Sequence, residues 1–322
     1  MQWNPRPTRR AGLFKKVKTK QGVLKVKKIH GKINMEKLTK RLSSKEIDEI
    51  IDFVRNHKKN FQRLQSFRLL DDDFMTKVFE DEKCAEFLLQ IILGRDDLTV
   101  KRTISQYSIK NLQGRSVRLD IWAVDREKRV YNIEVQRSDK GAGVKRARYN
   151  SSILDANLTQ PGDQYEDLNE TYVIFITEND ALKRKLPIYH IDRVIRETGE
   201  VFEDESHIIY VNSKIQDNTA LGKLMHDFSC KKAENMYYKV LADRVRYFKE
   251  NKEGVAIMCK AIEEMRVEAA EEATRKRNIE VARSLLKKKA KNNLIYLTYE
   301  DISDTSHLTV AEIEQLAKKI KV

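Results

Sequence analysis

Residues 116–136 read SVRLDIWAVDREKRVYNIEVQ. Two strands joined by a short polar turn account for this pattern. Val117, Leu119, Ile121 and Ala123 alternate with Arg118, Asp120, Trp122 and Val124, and Ile133 and Val135 alternate with Asn132, Glu134 and Gln136. Alternation with period two assigns one set of side chains to each face of a sheet. One of the two sets carries an acid on each strand. A three-residue loop at residues 126–128 sets Asp120 directly opposite Glu134, with Cβ atoms about 5 Å apart. Carboxylates that close repel each other, so the pair suits a shared divalent cation. The plainer alternative is a solvated face on which the two acids pair with Arg118 or Arg137. Such surface pairs are common and contribute little.

Outward from this stretch, Glu134-Val135-Gln136 is a Glu-x-Gln on one face, and residues 140–157, KGAGVKRARYNSSILDAN, turn at once into a basic helix. Further blocks stand on both sides. They are LDDDFMTKVFEDEKCAEFLLQIILGRDD (70–97), NLQGRSVRLDIWAVD (111–125), ETYVIFITEND (170–180), PIYHIDR (187–193) and LMHDFSC (224–230). In this order, over residues 66–250, they resemble the PD-(D/E)XK nuclease family transposases, a group related to the recombination-promoting nucleases of bacteria. The resemblance implies an α/β fold with a restriction-endonuclease-like core, a central mixed β-sheet flanked by helices, and helical extensions at both ends. It implies a metal-dependent DNA endonuclease using Mg2+ or Mn2+, in recombination or mobile-element transfer. The alternative is a catalytically silent relative that binds nucleic acid or a protein partner through the same fold.

On that resemblance Asp120 and Glu134 hold the metal, with the Val135 carbonyl as a third protein ligand. Gln136 stands where the superfamily places Lys. An amide can orient the attacking water, but it cannot carry positive charge. Lys140, Lys145 or Arg148 could restore that charge, and Lys145, Arg146 and Arg148 beside Tyr149 offer a grip on phosphates. A merely solvated helix face explains the same cations. The first core helix of such nucleases often adds an acid, for which Asp73 and Glu86 are the candidates. N-capping by Asp73 and solvation of Glu86 are the simpler readings. DNA is the implied partner, and a homo-oligomer is compatible with the resemblance.

The chain has 322 residues, 35% of them charged, and a net charge of +14. The average misleads. Residues 1–34 contain 11 Lys plus Arg and no acid, which leaves +3 for residues 35–322. The leader, without helical or strand periodicity, reads as a flexible phosphate-binding arm or as a non-functional extension. Cys84, Cys230 and Cys259 are widely spaced and form no Cys-x-x-Cys pair, so neither a disulfide framework nor a zinc site is expected and a reduced cytoplasmic setting is. No apolar run approaches the roughly 20 residues of a membrane span, and no secretory signal is recognisable.

Residues 35–65 read as a helical extension, followed by one helix from the Asp71-Asp72-Asp73 cap to Gly94. Thr99–Ile109 reads as a first strand and Asn111–Gly114 as a turn. Thr171–Thr177 reads as a strand buried on both faces, and Pro187–Asp192 with His207–Asn212 as a peripheral hairpin. His190 and His207 receive no role. Residues 251–322 read as a helical tail ending in a helix-turn-helix rhythm, with Thr309 and Glu312 as a capping box.

Overall fold

The computed structural model describes residues 16–19, 22–25, 44–109, 116–137, 141–291 and 296–320. The chain divides into two compact units, Met1–Cys259 and Lys260–Val322. Strands β1 (Lys16–Thr19) and β2 (Gly22–Lys25) pair antiparallel, Val17 opposite Leu24. A leader without strands is therefore corrected for these two segments, whose apolar residues, Val17, Val23 and Leu24, are too few to stand out as a pattern. The remainder of residues 1–34 lies outside the described residues, as do Lys140 and the turn expected at Asn111–Gly114.

Helix α1 (Ser44–Ser66) leads to α2 (Asp72–Val78) and α3 (Glu82–Leu93). One continuous helix was expected over α2 and α3. The break arises because Asp81 caps afresh, its side chain accepting the Lys83 and Cys84 amides at 3.1 and 3.4 Å. Gly94, at φ 64°, ends α3 in the left-handed region that favours glycine.

A six-stranded sheet follows in the order β3-β4-β5-β6-β8-β7. Its strands are β3 (Val100–Ile109), β4 (Val117–Asp125), β5 (Val130–Gln136), β6 (Thr171–Thr177), β7 (Ile188–Ile191) and β8 (Ser206–Asn212). β3, β4 and β5 run antiparallel, whereas β5, β6 and β8 are parallel, so the sheet changes character at β5. β6 is buried along nearly its whole length, as its unbroken apolar run requires. β7 and β8 do pair antiparallel. Only β7 is peripheral, because β8 also pairs with β6 and buries Ile209, Tyr210 and Val211.

Helix α4 (Val144–Leu158) covers the sheet face bearing Val173, Phe175 and Tyr210, packing Ala147, Ile153 and Leu154 into that core. α5 (Ala220–Ser229) and α6 (Lys239–Glu250) lie against α3. Lys249, in the last turn of α6, is 4% exposed. Its Nζ donates to the carbonyls of Gln65 at 3.4 Å, Phe67 at 2.5 Å and Lys231. Leu70 donates its amide to the Phe228 carbonyl at 3.1 Å, so α5 and α6 together pin the segment that enters α2.

The boundary between the units falls within α7 (Lys252–Lys291). In the second unit, α7 packs Ala282 and Leu286 against Ile302 of α8 (Tyr299–Ser306) and Ile313 and Ala317 of α9 (Val310–Ile320). The expected capping box forms, Thr309 Oγ1 accepting the Glu312 amide while Glu312 accepts the Thr309 amide. Among the described residues, no helix is long and apolar enough to cross a membrane.

Candidate active site at the open end of the β4–β5 hairpin

The hairpin closes on Asp125 and Arg129, with the Asp125 amide donating to the Arg129 carbonyl at 3.1 Å. That leaves a three-residue loop, whose last member Lys128 takes a positive φ of 67°. Backbone pairing then runs from Val124↔Val130 to Ile121↔Ile133. One step further along this register, Asp120 faces Glu134. There a side chain takes over from the ladder, as Asp120 Oδ2 accepts the Val135 amide at 3.1 Å. N–H and C=O of one strand residue project to the same side, so the Val135 carbonyl also faces the Asp120 side.

Both carboxylates are withdrawn from water. Asp120 is 8% exposed and Glu134 is 0% exposed. Glu134 pairs through Oε2 with Arg146 of α4; its buried Oε1 makes no hydrogen bond of ordinary geometry, although the Asn132 side chain and the Asp120 amide lie near enough to pull its carboxyl down. Burial raises the Asp120 carboxyl well above the ordinary carboxylate range, and the neighbouring Glu134 and Asp72 charges add to the rise. Burial likewise raises Glu134, against the downward pull of the Arg146 guanidinium. A buried oxygen without an ordinary hydrogen bond beside a second acid is what a cation-binding oxygen site looks like before a cation is added. The donor set fits Mg2+ or Mn2+.

The third acid is Asp72, which the sequence did not single out. It sits in the first turn of α2, and its charge raises both Asp120 and Glu134. Asp72 keeps an exposed surface, yet it lies among enough protein atoms for burial to raise its own carboxyl, with Asp73 adding to this. The two candidate acids of the first helix go elsewhere, and neither takes the simpler role read for it: Asp71, not Asp73, is the N-cap, and Glu86 makes a backbone bond and does not simply face solvent. Glu86 accepts the Val100 amide at 2.9 Å and so ties α3 to β3. Asp73 faces Arg63 at 4.0 Å. Asp71 is the anchor that places Asp72: it accepts from Arg137 at 2.8 Å and from the Arg68 amide at 2.7 Å. Arg137, considered above as a partner for the hairpin acids, bridges Asp71 and Glu178 instead. A triplet of aspartates gives no sign of which one faces the sheet, so Asp72 was not legible.

Gln136 lies on the Glu134 face, two residues on. Its amide is seated against Gly141, where an added Cβ would fall 1.7 Å from Gln136 Oε1. The Gly141 carbonyl accepts from Arg146 Nη1 at 3.0 Å, and the Arg146 guanidinium lies 5.7 Å from the centre of the Phe175 ring. Arg146 thus brings a positive charge to Glu134 and to the Gly141 backbone on which Gln136 rests. Lys145 and Arg148 are exposed on α4. The helix begins at Gly143, which offers no capping side chain, and has no acid in its first turn. Cations crowded at the positive end of a helix dipole are unfavourable on their own, and an anion there offsets both.

A family model described as PD-(D/E)XK nuclease family transposase matches residues 85–283. No curated protein and no solved structure matches the chain.

Proposed function

Since this chain belongs to the PD-(D/E)XK nuclease family transposases, we propose that it is a divalent-metal-dependent endonuclease acting on DNA, in recombination or mobile-element transfer. The observation that carries this reading is the buried pair Asp120 and Glu134 at the point where the β4–β5 ladder opens, with Glu134 Oε1 making no ordinary hydrogen bond. Asp120, Glu134 and the Val135 carbonyl would hold Mg2+ or Mn2+, with Asp72 beside them. Bound there, the ion would polarise a phosphodiester and lower the pKa of an attacking water. Gln136 orients that water or a phosphate oxygen through its amide, fixed by its seat on Gly141. Arg146, drawn from Glu134 toward the substrate, offsets charge developing on the phosphate. Lys145 and Arg148 contact flanking phosphates and set register without reading sequence.

The test is nicking of supercoiled plasmid in Mg2+ against the same reaction in EDTA, for wild type and Asp120→Asn. Nicking confined to wild type with Mg2+ is expected. A second reading, a nuclease fold that binds nucleic acid without cutting, draws on the neutral Gln136. Binding of DNA without cleavage in any divalent ion would favour it.

A further inference from the structure

A second cluster of metal-ligating side chains sits at the end of α5. His226 and Asp227 occupy its last turn and Cys230 follows as its C-cap. One ligand atom from each lies within 4.8 Å of the other two. His226 Nδ1 is 3.4 Å from Asp227 Oδ1 and 3.6 Å from Cys230 Sγ. Zinc bonds of about 2.3 Å to sulfur and about 2.0–2.1 Å to nitrogen and oxygen give tetrahedral edges of about 3.6 Å for S···N and about 3.4 Å for N···O. The two separations match such edges in length, but Cys230 Sγ also lies 3.9 Å from His226 Nε2, so the imidazole must turn to aim Nδ1 at a shared ion. No Cys-x-x-Cys spacing marks this set, because it is mixed, His-Asp-x-x-Cys.

We propose that His226, Asp227 and Cys230 bind a borderline-soft divalent cation of the Zn2+ class, outside the carboxylate site. Sulfur and imidazole nitrogen select such an ion over Mg2+, which prefers oxygen. The supporting contacts are already in place. Asp227 is 0% exposed and is fixed by the Tyr237 and Tyr238 amides at 2.8 and 2.9 Å, the second layer that orients a ligand. The Tyr237 ring packs on the imidazole at 4.8 Å, and the His226 side chain remains 36% exposed, leaving a path for the ion. The Asn235 carbonyl accepts from Cys230 Sγ at 3.6 Å, and this carbonyl or water would complete the ligand set. Binding would displace the Cys230 thiol proton. The ion would clamp α5 to the 230–238 loop that leads into α6.

The experiment is titration of chelator-treated full-length protein with Co2+ in excess Mg2+, read by absorption. One Co2+ per chain is expected, with tetrahedral d–d bands and a thiolate-to-cobalt charge-transfer band that Zn2+ abolishes. Cys230→Ser should remove the charge-transfer band and weaken Zn2+ binding by on the order of a hundredfold, and His226→Gln should weaken it comparably. Asp120→Asn should leave the spectrum intact, which separates this cluster from the carboxylate site. Absence of a charge-transfer band in wild type, or its persistence in folded Cys230→Ser, would overturn the proposal. So would loss of the spectrum in Asp120→Asn.

Discussion

Gln136 fills the space that any side chain at position 141 would need. A Cβ built on Gly141 meets Gln136 Oε1 at 1.7 Å, so the glycine fixes where the amide rests. Gly141→Ala should swing the flexible end of Gln136 aside with little cost to the fold, and plasmid cleavage should fall on the order of tenfold to a hundredfold. Gln136→Ala should show a similar loss, and the double variant no more than either alone, because both remove one seat. Additive losses would separate the two residues.

Asp120 couples activity to stability through pH. Its carboxyl and that of Glu134 are raised by burial and by neighbouring charge, so the folded chain retains these protons to higher pH than the unfolded chain does. Stability from this source is complete below the ordinary carboxylate range and is lost as pH rises through the raised values. In chelator, the melting temperature of Asp120→Asn should therefore exceed that of wild type by a margin that widens with pH. Mn2+ calorimetry should show a site that wild type has and this variant lacks. A margin flat in pH would contradict the raised carboxyl.

Arg146 holds the buried Glu134 carboxylate in the absence of a cation. Arg146→Gln should lower metal-free stability by about 1–3 kcal/mol, less than for a fully buried pair because the guanidinium is partly exposed. Added Mn2+ should raise the melting temperature of this variant more than that of wild type, since the ion then replaces the missing charge. Equal Mn2+ shifts in the two proteins would count against the ion and Arg146 sharing Glu134.

The helical acids divide by role. Asp72→Asn should weaken Mn2+ binding, measured by calorimetry, while leaving urea unfolding nearly unchanged. Glu86→Ala should do the reverse, costing about 1 kcal/mol through loss of its bond to the Val100 amide with Mn2+ affinity intact.

The hairpin was legible because two short alternating runs and a loop of fixed length determine register, and register alone sets Asp120 against Glu134. β6 was legible for the same local reason. The contacts that finish the site join distant segments. Nothing near Gly141 says that it receives Gln136, nothing near Arg146 says that it rather than Lys145 or Arg148 turns inward, and Asp72 owes its place to Arg68 and Arg137 acting on Asp71. The split between α2 and α3 was missed because Phe74, Val78, Phe79 and Phe87 keep a helical apolar rhythm across Asp81.

Lys249 also has a consequence in time. Its Nζ holds the carbonyls of Gln65 and Phe67, 184 and 182 positions earlier in the chain. At roughly 5–20 residues per second, a ribosome takes on the order of ten to forty seconds to cover that interval. Throughout it the strap that delivers Asp71 and Asp72 has been made, but the residue that fastens it has not. The acids of the β4–β5 hairpin, and the Arg68 and Arg137 that hold Asp71, are all synthesised before Lys249. The order of synthesis thus leaves the nascent strap with its arginine ties but without its lysine tie until the end of α6 is made.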